Sequence, residues 1–222
     1  MTSAIILAAG KSTRMGSGVD KSFLSLGSKP VVAWSLLAFE RCRDVDRIVL
    51  VVRKEQLLAS KAVAKMFGIS KLHAIVHGGA KRQESVLAGI AACDADTRHI
   101  VIHDAARPMV SPDLVSEVVK AVKRHPAVTV GRPVTDTLKS CAKGLVVEST
   151  VPRERLWAVQ TPQAFQIRAL REAYAKLGKK EVTDDCQVVE LAGGQVKIVE
   201  SFLPNFKITT AEDMQLVSAL MK

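Results

Sequence analysis

Residues 4–21 read AIILAAGKSTRMGSGVDK and join an apolar segment of strand length to a loop of small and basic residues. Small residues let a polyanion approach the backbone N–H groups, and Lys11, Arg14 and Lys21 supply charge that would neutralise it. A Walker A loop would need a glycine where Ile5 stands, and the dinucleotide fingerprint would need a third glycine after Gly16 and Gly18. The stretch therefore predicts a buried first strand followed by a phosphate-binding loop of another type.

The composition is typical of a globular protein with one sizeable domain. The chain has 222 residues, of which 48% are hydrophobic and 24% are charged. No apolar run approaches the length of a membrane span, and the first ten residues are too short and uncharged for a signal peptide. We therefore expect a single cytoplasmic domain over residues 1–222 with no membrane partner.

The net charge of +10 favours acidic partners. Nucleic acid is one candidate, but the basic residues are spread along the chain, and only 4% of the residues are aromatic and able to stack on bases. A substrate made largely of phosphates explains the charge equally well. We expect no nucleic-acid partner, with a non-catalytic nucleotide- or RNA-binding protein as the remote alternative.

The cysteines and histidines do not favour a metal or disulfide scaffold. The cysteines are widely spaced without a C-x-x-C pair, and we interpret them as reduced and structural: Cys42, Cys93, Cys141 and Cys186. His73 and His77 are four residues apart, which on a helix would suit a zinc site. They lie instead in an alternating segment that is typical of a strand, with no third ligand nearby in the sequence.

Strands and helices alternate along the first 124 residues. We predict strands over 4–7, 47–52, 72–77 and 99–103, and helices over 31–39, 56–67, 82–93 and 112–124. Continuous apolar strands separated by helices are typical of a doubly wound, mostly parallel, Rossmann-like α/β sheet. Such sheets bind ligands beyond the carboxyl ends of their strands. The loops at 8–21, 78–79 and 104–108 are therefore expected to converge on one site.

The regular alternation breaks after Ala127. Residues 135–141 and 145–151 are strand-like and flank a turn with Lys143 and Gly144, which predicts an inserted β-hairpin within an arm at about 133–153. A hairpin with little core of its own needs something to pack against. A partner subunit is the favoured interpretation, and a solvent-exposed flap is the alternative. Further along, we predict helical turns at 172–177 and 184–191, strands at 197–199 and 206–208, and a helix at 211–221.

Two later loops carry chemistry that suits a nucleotide. Gly78 and Gly79 lead from a strand into a helix that begins with Arg82 and Ser85, and glycines allow a flat base to come close to the backbone. Asp104 follows a buried strand, where it is well placed to hold Mg²⁺ in a phosphate site; a turn-forming aspartate is the alternative. Arg107, beside it, suits a phosphorylated substrate.

The opening loop resembles the signature of sugar-phosphate nucleotidyltransferases, L-A-A-G-x-x-x-R-M followed by a lysine. The later motifs resemble one family in particular, the 2-C-methyl-D-erythritol 4-phosphate cytidylyltransferases of the non-mevalonate isoprenoid pathway. In order along nearly the whole chain, they are GG at 78–79, HDAARP at 103–108, PVTDTLK at 133–139, WAVQTPQ at 157–163, TDD at 183–185 and NFKIT at 205–209. HDAARP and NFKIT are the most specific of these.

The resemblance implies a role for each matching position. CTP would bind along Ala8, Ala9, Gly10, Lys11, Gly78, Gly79, Arg82, Ser85, Asp104 and Ala105, with Mg²⁺ on Asp104. Methylerythritol phosphate would meet Arg107, Thr137, Arg153, Thr183 and Lys207. The charge of the reacting phosphates would be stabilised by Arg14, Lys21 and Lys207. The family exchanges its hairpin arm between subunits, so a homodimer is implied in which Thr137 and Arg153 serve the neighbouring site, with Arg107 serving either site.

The chain departs from the family pattern beside the loop lysine. Asp20 and Ser22 stand where the family usually has proline and glutamine, so a negative charge is expected next to the triphosphate site. Ala80 replaces an acidic residue that often follows the double glycine, and Pro204 replaces one found in some members. The nearest alternative function is a cytidylyltransferase for ribitol 5-phosphate or another polyol phosphate.

Overall fold

The computed structural model describes residues 1–10 and 20–221. The strands are β1 (Thr2–Ala8), β2 (Ser25–Leu26), β3 (Lys29–Pro30), β4 (Arg47–Val52), β5 (Leu72–His77), β6 (His99–Asp104), β7 (Ala127–Pro133), β8 (Leu138–Cys141), β9 (Val147–Val151), β10 (Trp157–Gln166) and β11 (Val196–Glu200). The helices are α1 (Val31–Arg41), α2 (Leu57–Met66), α3 (Arg82–Ala91), α4 (Pro112–Val122), α5 (Ile167–Leu177), α6 (Asp185–Leu191) and α7 (Ala211–Leu220), with short 3-10 helices at Lys21–Phe23 and Lys54–Gln56.

A seven-stranded sheet forms the centre of the fold, in the order β11-β7-β10-β6-β1-β4-β5. Its strands run parallel except β10, which is antiparallel to both of its neighbours. The chain moves outward from β1 through β4 to β5 and then returns to place β6 on the other side of β1. This reversal opens a crevice at the carboxyl ends of β1 and β6, where doubly wound sheets bind ligands. The predicted α/β class is confirmed.

A hydrophobic core packs on each face of the central sheet, which explains why the inner strands are continuously hydrophobic. Ile6 and Leu50 face a core that contains Phe39 of α1, while Ile5 and Val49 face the opposite core, which contains residues of α3, α5 and α6. Successive side chains of a strand point to opposite faces, so a strand covered on both sides has no polar face to show. The two cores fix the strand ends that carry the site.

The prediction of a strand at 206–208 is wrong. These residues are in irregular structure; the backbone N–H of Ile208 donates to the carbonyl of Ala106 at 2.8 Å. Ile208 is fully buried in a small cluster with Leu26, Val31 and Val217. Its apolar character therefore reflects packing against that cluster rather than membership of a sheet.

Residues 138–151 form an antiparallel pair that stands apart from the central sheet. Leu138 of β8 pairs with Val151 of β9; Leu145 and Val146 in the turn between the strands are 87% and 65% exposed, and Val147, the first residue of β9, is 54% exposed. Exposed apolar side chains at the tip of a hairpin are a feature of contact surfaces. Its role as a dimerisation arm stays a prediction.

Candidate active site

The crevice at the carboxyl ends of β1 and β6 brings together the three loops that were expected to meet there. Leu7 and Asp104 are register partners, and the N–H of Ala105 donates to the carbonyl of Leu7 at 2.9 Å. A cavity of about 190 Å³ opens beside them. It is lined by residues of the first loop, the loop before α3, the start of α3, the end of β6 and the segment before α7: Ala8, Ala9, Gly10, Lys21, Gly79, Arg82, Ser85, Asp104 and Lys207, among others. Ala105 itself is buried, and Ala106 contributes to the lining in its place.

A second cavity, of about 210 Å³, lies next to the first and shares Arg82, Asp104 and Lys207 with it. Its remaining walls include two of the predicted acceptor residues, Arg107 and Thr183. Two adjacent cavities that meet at three charged side chains can hold two ligands with their reacting groups in contact. This arrangement suits the joining of two anionic molecules.

Asp104 lies at the junction of the two cavities and is held there by cations. Lys207 Nζ lies 2.6 Å from Asp104 Oδ2, and Arg82 Nε lies 3.5 Å from Oδ1. Burial opposes ionisation of this carboxyl, but Arg82 and Lys207 more than offset it and hold the pKa of Asp104 well below its ordinary range. Asp104 is therefore a carboxylate at every pH at which the protein would work.

The Asp104 carboxylate fits a divalent cation. No three His, Cys, Asp or Glu side chains of residues 1–10 and 20–221 are grouped to hold a metal on their own. Mg²⁺ does not need such a cage, because it usually keeps several waters and binds through one or two carboxylates and the phosphates of its substrate. A charged Asp104 at the junction of two cavities lined with basic side chains meets that requirement.

Arg82 is anchored by a buried partner that sequence reasoning missed. Its Nη1 donates to Asp185 Oδ2 at 2.6 Å, and the hydroxyl of Tyr174 donates to the other oxygen of Asp185 at 2.5 Å. Burial disfavours the charge of Arg82, yet the carboxylates of Asp185 and Asp104 outweigh burial and raise its pKa. Nη2 of Arg82 is buried without a hydrogen-bond partner among the described residues, so its two N–H groups are left for a ligand.

Arg107 is held close to the junction by the segment that carries Lys207. Its Nη1 donates to the carbonyl of Asn205 at 2.7 Å, and the Asn205 side chain donates to the carbonyl of Thr161 at 2.8 Å. Burial lowers the pKa of Arg107 despite the nearby Asp104 carboxylate, although the group remains a guanidinium at neutral pH. Arg107 lines the second cavity together with Lys207 of the same chain.

Gly78 is required for the approach of two loops. A Cβ atom at this position would lie 2.5 Å from Ser85 Oγ and 2.6 Å from Ala9 Cβ, closer than such atoms can come. Gly79 donates its N–H to Ser85 Oγ at 3.2 Å. The glycines therefore bring α3 against the first loop, a packing requirement that the sequence did not distinguish from close approach of a base.

Some predicted residues are not brought to this site. Lys11 and Arg14 lie outside the described residues. Thr137 and Arg153 do not line either of the two cavities; both flank the hairpin, where Arg153 donates to the carbonyl of Thr135. Asp20 does not direct its charge toward the first cavity, contrary to expectation, because its carboxylate is paired with Arg53 at 2.8 Å.

His103, next to Asp104, is a buried structural residue that holds the loop. Burial lowers its pKa to about 4, so at neutral pH the ring is uncharged. The carbonyl of Arg107, 3.2 Å from Nε2, can only accept, which places the ring proton on Nε2. Nδ1 then accepts from the hydroxyl of Thr161 at 3.1 Å, and that hydroxyl accepts from the N–H of Asp104.

The depressed pKa of His103 predicts acid sensitivity. Between pH 6.5 and about 4 the unfolded chain takes up a proton that the folded protein excludes. The free energy of unfolding is therefore expected to decrease as the pH is lowered through this range, by on the order of 3 kcal/mol. Urea denaturation at intervals over this range measures the slope. The His103→Gln variant should lose most of it, and an unchanged slope in that variant would assign the acid sensitivity to other groups.

Comparison with known proteins identifies the chain's relatives. The family model of 2-C-methyl-D-erythritol 4-phosphate cytidylyltransferase, IspD, matches residues 2–222. The chain belongs to this family. An IspD protein of Pelotomaculum thermopropionicum is 41% identical over 222 residues, which cover 99% of this chain and 93% of that protein. The family assignment agrees with the resemblance of the sequence motifs.

Solved IspD structures share the fold. The crystal structure of 4-diphosphocytidyl-2C-methyl-D-erythritol synthase from Anaerococcus prevotii superposes with a TM-score of 0.86 at 29% identity, covering 99% of this chain and 97% of that one. The cytidylyltransferase from Thermus thermophilus gives a TM-score of 0.80 at 33% identity, covering 99% and 98%. Among the described residues, no helix has the length and apolar character needed to cross a membrane.

Proposed function

We propose that the chain transfers a cytidylyl group from CTP to 2-C-methyl-D-erythritol 4-phosphate, releasing pyrophosphate and forming 4-diphosphocytidyl-2-C-methyl-D-erythritol. The observation that supports this most directly is the pair of adjoining cavities that meet at Arg82, Asp104 and Lys207. Family membership supplies the identity of the two substrates. CTP is assigned to the first cavity and the acceptor to the second.

The reaction is a displacement at phosphorus. An oxygen of the acceptor phosphate attacks the α-phosphorus of CTP, the bond from that phosphorus to the α,β-bridging oxygen breaks, and pyrophosphate leaves with the electron pair. A phosphate monoester is already anionic at neutral pH, so no general base is needed. The barrier lies in bringing two polyanions together and in stabilising charge on the transferring group.

Basic residues around the junction are assigned to that stabilisation. Lys207 lines both cavities, so its ammonium can contact the acceptor phosphate and the α-phosphate of the cytidylyl group that is transferred. Lys21 lines the first cavity, and Arg14 precedes it in the loop assigned to the triphosphate. Arg107 and Thr183 are assigned to the acceptor. A Mg²⁺ ion held by Asp104 would screen the triphosphate when bound.

We also propose a homodimer that exchanges the arm at 133–153. The exposed tip of the hairpin offers apolar surface for a second copy, and Thr137 and Arg153 are absent from the cavities described within one chain. A partner's arm would bring these two residues to the acceptor cavity. The second site of the dimer is completed in the same way by symmetry.

Isotopic labelling tests which bond is broken. With CTP labelled at the α-phosphorus, the label is expected in the diphosphate product together with the nucleoside; with CTP labelled at the γ-phosphorus, it is expected in free pyrophosphate. Chromatography of the two reactions separates these species. Release of the γ-label as inorganic phosphate would indicate hydrolysis, and its appearance on the acceptor would indicate phosphoryl transfer; either result would contradict the proposed reaction.

A further inference from the structure

Lys21 is held at its tip by a distant segment of the chain. Its ammonium donates to the carbonyl of Ile208 at 2.8 Å, and its side chain lines the first cavity. Its backbone begins the 3-10 helix Lys21–Phe23. A long, flexible lysine side chain delivers its charge to a fixed point only if its own backbone is fixed. The contacts of the preceding residue show how this is achieved.

Asp20 caps the turn that contains Lys21. Its Oδ1 accepts from the N–H of Ser22 at 3.1 Å, and its carbonyl accepts from the N–H of Phe23 at 3.0 Å. Its Oδ2 accepts from Arg53 twice, from Nε at 3.0 Å and from Nη2 at 2.8 Å. Only 4% of the Asp20 side chain is exposed. Three hydrogen bonds to a nearly fully buried side chain leave this carboxylate unavailable to a metal or a ligand.

Arg53 connects this turn to the central sheet. It directly follows β4, whose last residue, Val52, accepts from the N–H of Gly78 at 2.9 Å. The carbonyl of Arg53 accepts from Gln56 at 2.9 Å, which closes the first turn after the strand. The backbone of Arg53 is thus fixed by the sheet on one side and by a 3-10 helix on the other. From this fixed backbone, the Arg53 guanidinium donates the two hydrogen bonds that hold the Asp20 carboxylate.

We propose that Asp20 and Arg53 are a positioning pair that sets Lys21 in register with the phosphate-binding cavity. A buried ion pair contributes little net stability compared with apolar residues of similar size, because removing both charges from water is costly. We therefore assign the pair a geometric role: three side-chain hydrogen bonds fix Asp20, the residue that precedes Lys21. The inference rests on the proposed function in so far as Lys21 serves the triphosphate of CTP.

The test uses a double-mutant cycle with inorganic triphosphate as the probe. Asp20→Asn keeps the shape of the side chain and removes its charge, so it is expected to weaken triphosphate binding roughly tenfold, since a small misplacement of a charged group is costly. In the Lys21→Ala background, the same change should have less than about a twofold effect, because Asp20 acts through Lys21. Calorimetric titration of the four proteins measures both numbers.

A matched control lies at the other end of the same strand. Arg47, the first residue of β4, pairs with Asp94 at 3.5 Å on the surface. Asp94→Asn removes an Asp–Arg pair without touching the cavity and should leave triphosphate binding unchanged. If Asp20→Asn fails to fold, Arg53→Lys replaces it, because it keeps the positive charge but loses the forked donor. It should weaken binding in the wild-type background and not in Lys21→Ala.

The outcomes separate this proposal from the proposed function. Equal weakening by Asp20→Asn in both backgrounds overturns the positioning role, as does a wild-type protein that does not bind triphosphate. Coupling between Asp20 and Lys21 in triphosphate binding supports the positioning role even if no cytidylyl transfer is observed. In that case only the reaction proposed for the site is rejected. When transfer is observed, kcat for CTP should show the same coupling.

Discussion

Replacement of Lys207 by alanine lowers kcat by about a hundredfold or more, while the fold is kept. Lys207 is the residue whose ammonium is shared by both cavities, 2.6 Å from Asp104. Its charge opposes the repulsion between the acceptor phosphate and the triphosphate, an effect that grows as charge develops in the transition state. Steady-state kinetics with saturating CTP and acceptor give kcat, and thermal unfolding reports on the fold.

The matched control for this variant is Lys197→Ala. Lys197 is an exposed lysine on β11, does not line either cavity, and should tolerate the change without loss of rate. A near-normal kcat for Lys207→Ala would remove this residue from the mechanism. A loss of rate accompanied by an equal loss of folded protein would show that Lys207 acts through stability, since its removal leaves the buried Asp104 with fewer cations.

Two inactive variants restore each other's activity if the arm is exchanged. One subunit carries Lys207→Ala and the other carries Arg153→Ala, so each homodimer has a defect in both sites. In the mixed dimer, the subunit with an intact Lys207 receives the arm with an intact Arg153, and one site of the two is complete. Mixed dimers isolated through two different tags should therefore show about half of the wild-type activity.

The complementation result distinguishes the two arrangements of the arm. If the arm serves its own chain, both subunits of the mixed dimer remain defective, and the activity stays at the level of the parents. Mixed dimers made from wild-type and Lys207→Ala subunits are the control, because they should retain about half of the activity in either arrangement. Analytical ultracentrifugation of the wild-type protein establishes first whether the dimer exists.

Strands that are buried on both faces could be predicted from the sequence, and strands that contain glycine or proline could not. Residues 4–7 and 47–52 were predicted as strands because continuous apolar residues leave few alternatives. β7 and β10 were missed as strands because Gly131 and Pro162 are typical of turns. Their pairing with each other is compatible with these residues: β10 has a register shift between Gln160 and Gln163.

The same distinction applies to the candidate site. Asp104, Arg82 and Lys207 were predicted from motifs, and the structure brings them together although they are up to 125 residues apart in sequence (207 minus 82). The residues that hold Arg82 and Lys21 in place could not be found in this way. Tyr174 bonds to Asp185, and Arg53 bonds to Asp20, through contacts between segments that no local pattern relates. Long-range packing decides such partners, so only the fold shows them.

The most direct test of the proposed reaction is pyrophosphate release from CTP in the presence of Mg²⁺. 2-C-methyl-D-erythritol 4-phosphate and ribitol 5-phosphate are supplied in separate reactions, each with an EDTA control. Metal-dependent release with methylerythritol phosphate alone is the predicted result. Release only with ribitol phosphate would keep the fold and the chemistry but contradict the acceptor, and no release with either acceptor would contradict the proposed function itself.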